Sequence, residues 1–268
     1  MTGYFTTEAI VLGSIDYGES DRIVTFYTLE FGKLKGIAKG AKRSKKRFVN
    51  NLEPFSHIRL LFFQKQGRDL VMLEQADVVG RFDNLLFDIH KLAFGSYCLE
   101  LLSEMTPEYQ KNEKVFELLL KFLIMLDRGT NIKTAVRIFE MRLLSILGYH
   151  PHLDVCVVCK NNVMAEAGAH AHAPLPDTKL FFSSARSGIL CPRCNGREKS
   201  LIPVSQGTIK FLMLAAKSAL DKMDRIAMPD WAAEESERII GDFIRYQLGK
   251  ELKSKRFLNK IQAMGEGR

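Results

Sequence analysis

A chain of 268 residues with 46% hydrophobic and 26% charged residues can bury one large core or two smaller ones, and this composition excludes a disordered polymer. Its formal net charge of +8 is unevenly placed: residues 1–80 hold 12 Lys+Arg against 9 Asp+Glu, and the last 20 hold 6 against 2. Local surpluses of this kind suit a surface that meets a polyanion, since solubility alone needs no clustering. The N-terminal residues lack the charged and apolar regions of a secretory leader. The most apolar run, Leu118 to Leu126, is interrupted by Lys121 and is too short to cross a bilayer. A cytoplasmic protein is expected.

The first 80 residues predict strands at Ala9–Ile15, Arg22–Leu29, Lys33–Lys39, His57–Phe63 and Leu70–Val79, rich in Val, Ile, Leu, Phe, Tyr and Thr. Gly18, Gly32, Gly40, Pro54 and Gly67 punctuate them as turn residues. Five short strands in this length suggest a small sandwich or barrel, and a five-stranded OB-type barrel fits the count.

Lys33 to Arg47 carries eight cations in fifteen residues: Lys33, Lys35, Lys39, Lys42, Arg43, Lys45, Lys46 and Arg47. Lys33, Lys35 and Lys39 share one strand face by parity, and beyond Gly40 the composition predicts an exposed, flexible loop. Many cations without fixed base contacts suit phosphate binding of low sequence specificity, with Arg22, Tyr17 and Phe48 as candidates for cation–π or stacking contacts. A guarded sheet edge is the structural alternative, but it rarely needs eight charges. The run is not an ATP phosphate loop, because Gly36 and Gly40 have only three residues between them. Asp16, Glu19 and Asp21 cluster around Gly18 and could hold Mg2+ in a nuclease, although a turn explains them equally well. No catalytic motif accompanies them. His57 and His90 read as satisfied structural histidines in apolar neighbourhoods.

From about residue 84 the apolar period lengthens to that of a helix, placing the domain boundary near 80–84. Leu85, Leu86, Ile89, Leu92, Ala93, Leu99, Leu101 and Leu102 form a stripe ending at Pro107. Further helices are predicted at about 113–127, at 132–147 after the cap Asn131, from near Ser205, and from a cap at Asp230 to Gly249. Residues 1–80 are thus expected to form the barrel and 81–268 a mainly helical domain, with an insertion at 150–204. The fold class is α+β and multidomain.

That insertion contains Cys156-Val-Val-Cys159 and Cys191-Pro-Arg-Cys194, separated by 31 residues. A two-residue spacer lets one tight knuckle present two thiolates to one ion, so two knuckles offer a closed tetrahedral site for a single structural Zn2+. The separation exceeds the usual 15–20 residues. Competing arrangements are redox or disulfide pairs, and replacement of one cysteine by His150, His152, His170 or His172. Cys98, in an apolar helix, reads as an inert core residue. The Ala/His-rich segment 165–176 reads as a loop.

The order of Asp16-Tyr-Gly-Glu-Ser-Asp21, Thr28-Leu-Glu-Phe-Gly32, Gly36-Ile-Ala-Lys-Gly-Ala-Lys-Arg43, Leu52-Glu-Pro-Phe55, Leu147-Gly-Tyr-His-Pro151 and the two cysteine pairs resembles the RecO family of bacterial recombination mediators over nearly the whole chain. The resemblance implies an N-terminal OB-fold, a helical C-terminal domain and a zinc-binding insertion. It also implies binding of single- and double-stranded DNA, annealing of complementary strands, and action with RecR and single-strand-binding protein to load RecA at the nucleoid. By position, the family's DNA surface falls on Arg22, Lys35, Lys39, Lys42 and Arg43. The competing classes are an RNA-binding accessory protein, since a barrel with a zinc ribbon suits RNA equally well, and a metal-dependent nuclease.

Overall fold

Runs rich in β-branched and aromatic residues form five strands: β1 (Gly3–Tyr17), β2 (Asp21–Thr28), β3 (Gly32–Ala38), β4 (His57–Gln64) and β5 (Val71–Gly80). The computed structural model describes residues 2–44, 46–48, 50–164, 180–196, 198 and 200–265. The strands close a barrel in the order β1-β2-β3-β5-β4, the OB arrangement. β1 is long enough to serve two neighbours, pairing β4 along Gly3–Ile10 and β2 along Ala9–Tyr17, with an irregularity between Val11 and Gly13. Val11, Val24, Phe26, Leu34, Ile58, Leu60, Phe62 and Leu73 fill the interior.

Closure depends on a parallel contact between β3 and β5, where Gly36 faces Val71 and Ile37 faces Met72. A Cβ at Gly36 would stand 2.4 Å from Leu73 Cδ2, so the glycine leaves the space that the Leu73 side chain fills beside this contact.

A short α1 (Asp83–Leu86) precedes α2 (Ile89–Met105), followed by α3 (Glu113–Asp127) and α4 (Ile132–Ile146). The single stripe expected from 84 to 107 is therefore two helices. Asp88 breaks it, because its carboxylate accepts the backbone N–H groups of His90 and Lys91 and starts a new helix. Leu86 and Ile89, at the junction, are exposed. Asn112 and Asn131 cap α3 and α4.

Three strands absent from the sequence-based expectation follow: β6 (Leu180–Ser183), β7 (Gly188–Leu190) and β8 (Ile202–Val204), in the order β7-β6-β8. Then come α5 (Gln206–Lys217) with Ser205 as its cap, α6 (Asp230–Leu248) and α7 (Lys253–Gly265). Pro229 occupies the N-cap position of α6 and makes no side-chain cap bond, while Asp230, expected as the cap, is the first helical residue. A carboxylate in the first turn favours the helix through its dipole in either place.

Contacts divide the chain into two compact units, Met1–Gly129 with Leu252–Arg268, and Thr130–Glu251. The first therefore holds the barrel, α1–α3 and α7, and the division falls elsewhere than the change of sequence periodicity. In the second, α4 packs on α5 and α6, and the Phe182 ring of β6 meets Phe243 of α6 edge-on at 5.8 Å.

Candidate nucleic-acid interface and metal centre

The β1–β2 hairpin extends beyond the part of β1 that pairs with β4, and Ile15 and Tyr17 are exposed near its tip. The segment after β3 folds back onto that tip. Gly40, at φ 66°, turns the chain into a short 3-10 turn over Ala41–Arg43. Asp21 Oδ1 accepts the Gly40 N–H at 2.8 Å, Ser20 O accepts the Lys42 N–H at 3.0 Å, and Lys42 Nζ donates to Gly18 O at 3.3 Å. Further on, the Arg47 guanidinium donates to Lys39 O at 3.0 Å and lies 5.0 Å from the centroid of the Phe48 ring. The segment expected to be a flexible loop is thus pinned at several points.

Lys39, Lys42, Arg43, Lys46 and Arg47 are exposed, and Arg22 is half-buried beside them. Lys45 lies outside the described residues. Two carboxylates run between these cations: Asp16 pairs with Lys42 at 2.9 Å and with Arg22 at 3.3 Å, and Glu53 pairs with Arg22. The hydrogen bond from Lys42 chiefly holds the Asp16 carboxyl below its ordinary pKa. Asp16, Arg22, Lys42, Ser44, Phe48 and Glu53 line an open cleft of about 380 Å³.

Two lysines on the expected face are drawn elsewhere. Lys33 Nζ donates to Ser103 O, and Lys35 pairs with Glu108 at 2.7 Å, so both engage the end of α2 and the segment after it. Burial lowers the Lys33 pKa. Phe48, a stacking candidate by sequence, is only 4% exposed and belongs to the barrel core. Tyr17 is the exposed aromatic here, at 54%. Sequence reasoning missed Glu53, which is 31 positions from its partner Arg22.

The described residues give the nuclease alternative no Mg2+ cluster at Asp16, Glu19 and Asp21. Asp16 is occupied by two cations and Asp21 by the Gly40 N–H. His57 is a buried structural group as expected, hydrogen-bonded to Glu8 at 3.1 Å rather than isolated, whereas His90 is exposed on α2.

In the second unit the four cysteines come together. Val155 bridges Asn162 across a tight turn, Cys156 N–H donates to Asn161 O, and Lys160 N–H returns to Cys156 O. Lys160 adopts φ 61° to close this knuckle. The second knuckle is closed by Cys194 N–H donating to Cys191 O at 2.9 Å. Val157 N–H bonds Ile189 O and so ties the first knuckle to β7, which leads into the second. The Sγ atoms of Cys156, Cys159, Cys191 and Cys194 all lie within 4.8 Å of one another and can hold a metal ion. Burial works against ionisation of the Cys156 thiol, but the backbone N–H groups of Cys159, Cys191 and Val158 outweigh it, and its pKa falls to about 6. Among the described residues no histidine joins the cluster. His170, His172 and the segment 165–176 lie outside the described residues. Cys98 is buried in α2, as expected.

A closed barrel in OB order, followed by helices and a four-cysteine lobe able to hold a metal, defines an OB-fold protein with an appended mixed helical region. Residues 1–82 match the family model described as "Recombination protein O N terminal", and residues 86–256 match "Recombination protein O C terminal". The chain is 39% identical over 262 residues to the DNA repair protein RecO of Syntrophus aciditrophicus (strain SB), covering 97% of this chain and 96% of that one. It is 34% identical to the DNA repair protein RecO of Caldanaerobacter subterraneus subsp. tengcongensis (96% and 98% covered) and 32% identical to that of Anaeromyxobacter sp. (strain K), with 94% of each chain covered. The chain belongs to the RecO family, and its role is in DNA repair and recombination. Among the described residues no helix is long and apolar enough to cross a membrane.

Proposed function

We propose that this chain is a non-catalytic recombination mediator that binds single- and double-stranded DNA through the rim of its barrel and anneals complementary strands without ATP. With RecR, it helps load RecA onto strands covered by single-strand-binding protein, in the cytoplasm and at the nucleoid during repair. The observation that carries this reading is the junction of the hairpin tip, bearing exposed Tyr17, with the pinned segment bearing Lys39, Lys42, Arg43, Lys46 and Arg47. On this reading Arg22 is the inner member of the surface. Lys33 and Lys35, engaged by Ser103 and Glu108, contribute to its potential more than to direct contacts. OB barrels bind oligonucleotides along strands 2 and 3 and the first hairpin loop, where these groups lie. Two strands repel one another, and a cationic rim lowers that repulsion and concentrates both, so pairing accelerates.

The four thiolates take one structural Zn2+. Metal–sulfur bonds of about 2.3 Å set the edges of a tetrahedron at about 3.8 Å, and Cys159 Sγ and Cys191 Sγ are 3.8 Å apart. Four protein ligands leave no position for a reacting water, so the ion holds the lobe together.

The test is annealing of complementary oligonucleotides coated with single-strand-binding protein, without ATP, across a salt series. The wild-type chain should accelerate annealing, less so as salt rises. Changing Lys39, Lys42 and Arg43 together to Gln should slow it and lower the slope of log affinity against log salt by about 2, at roughly 0.7 per lost single-strand phosphate contact. An unchanged slope in that variant would remove the assigned surface, and tighter binding to a matched RNA strand would move the partner to RNA.

A further inference from the structure

α7 docks onto α2 of its own unit. The Glu100 carboxylate of α2 accepts the backbone N–H groups of Lys253 at 3.1 Å and Ser254 at 2.7 Å, and also the Ser254 hydroxyl. It thus caps the first turn of α7 from another helix. Leu252 and Leu258 are buried, and Lys255 Nζ lies 5.5 Å from the centroid of the Tyr97 ring. The opposite side of the helix presents Lys253, Arg256, Phe257 and Lys260, all exposed. Their spacing of i, i+3, i+4 and i+7 makes one continuous stripe.

Two features of this stripe go beyond a solvated helix face. Residues 253–265 contain no Asp or Glu, and the first turn carries Lys253, Lys255 and Arg256. Cations in a first turn oppose the positive end of the helix dipole; the Glu100 carboxylate offsets this, and Lys255 packs on Tyr97, which leaves Lys253, Arg256 and Lys260 on the outer face with Phe257. In addition, Phe257 stands 48% exposed among the charges. An aromatic face bordered by cations is what a single nucleic-acid strand uses, bases on the ring and phosphates on the cations.

We infer that the outer face of α7 is a second nucleic-acid contact, separate from the barrel rim, in which Lys253, Arg256 and Lys260 bind the phosphates of a single strand and Phe257 stacks a base. The inference rests on the reading that the chain binds DNA. From 253 to 260 the stripe is about 10 Å long at 1.5 Å per residue, so it reaches a few consecutive phosphates of a single strand. A lipid surface is the weaker partner for this helix, because Leu252 and Leu258 are buried within its own unit and, among its described side chains, Phe257 is the one large apolar group exposed. Two strand contacts on one protein give an annealing factor somewhere to hold the second strand.

The experiment uses the full chain and fluorescent oligo(dT), with binding read by anisotropy over a salt series. Changing Lys253, Arg256 and Lys260 together to Gln should lower the salt slope by about 2. Phe257→Ala should weaken binding about tenfold and leave the slope as it was. As a readout independent of any variant's folding, an oligonucleotide bearing 4-thiothymidine should crosslink to the wild-type peptide containing residues 253–260. Wild-type affinity and slope in both variants, or crosslinks confined to the barrel, would overturn the inference while leaving the barrel site standing. Absence of any oligonucleotide binding by the wild-type chain would instead remove the DNA-binding reading, and α7 with it. Binding of phosphatidylglycerol vesicles abolished by Phe257→Ala, with oligonucleotide affinity unchanged, would assign the face to lipid.

Discussion

At the scale of residues, the basic rim is tempered by Asp16 and Glu53. Their ion pairs with Lys42 and Arg22 join side chains that are 28–61% exposed, so solvent screening leaves them little to add to folding. On the proposed DNA-binding reading their effect on a phosphate is larger, because both carboxylates line the cleft between the cations. Asp16→Asn combined with Glu53→Gln should leave the thermal midpoint nearly unchanged and tighten oligonucleotide binding several-fold at low salt. The gain should fade as screening increases. Weaker binding in the double variant would show that the carboxylates orient the cations instead of masking them. This arrangement could not be read from the chain, since Arg22 and Glu53 meet only after the barrel has closed. The cations themselves were legible because eight of them fall in fifteen residues.

At the scale of elements, legibility followed length and pattern. The five barrel strands were readable because each runs 7–15 residues rich in β-branched and aromatic side chains between turn residues, and β3 in addition alternates in burial. β6, β7 and β8 escaped because three or four residues carry no usable period. α7 escaped because its cations read as a tail, and the groups that hold it, Glu100 and Tyr97, lie about 150 positions away. The α1–α2 break was hidden by an apolar stripe that runs through Asp88. The cysteine site was legible because each knuckle is local, while its link through Val157 and Ile189 was not. Barrel closure at Gly36 yields a prediction of its own. Gly36→Ala should destabilise the first unit by about 1–3 kcal/mol, since the new methyl must displace Leu73 in a filled core. Chemical denaturation measures this, and a neutral result would mean that Leu73 repacks without cost.

At the scale of the whole molecule, the two compact units carry different parts of the chemistry. The cationic rim and α7 belong to one, and the four-cysteine lobe to the other. If the four thiolates hold the proposed ion, a chelator should lower the thermal stability of the second unit and leave oligonucleotide affinity within about twofold, because the binding energy of a structural metal is folding energy. Equal loss of affinity and stability would show that the lobe takes part in binding. Circular dichroism and anisotropy on one chelated sample separate the two outcomes.

The first unit is also discontinuous, begun by residues 1–129 and completed from Leu252 onward. Synthesis runs from one end at about 5–20 residues per second. The barrel can close early on the ribosome, but the face of α2 that receives Leu258 and the Glu100 cap waits for the whole second unit to be made. The nascent chain thus carries an uncovered apolar helix face for several seconds, and newly made chains should be more vulnerable to proteases and more dependent on chaperones than finished ones.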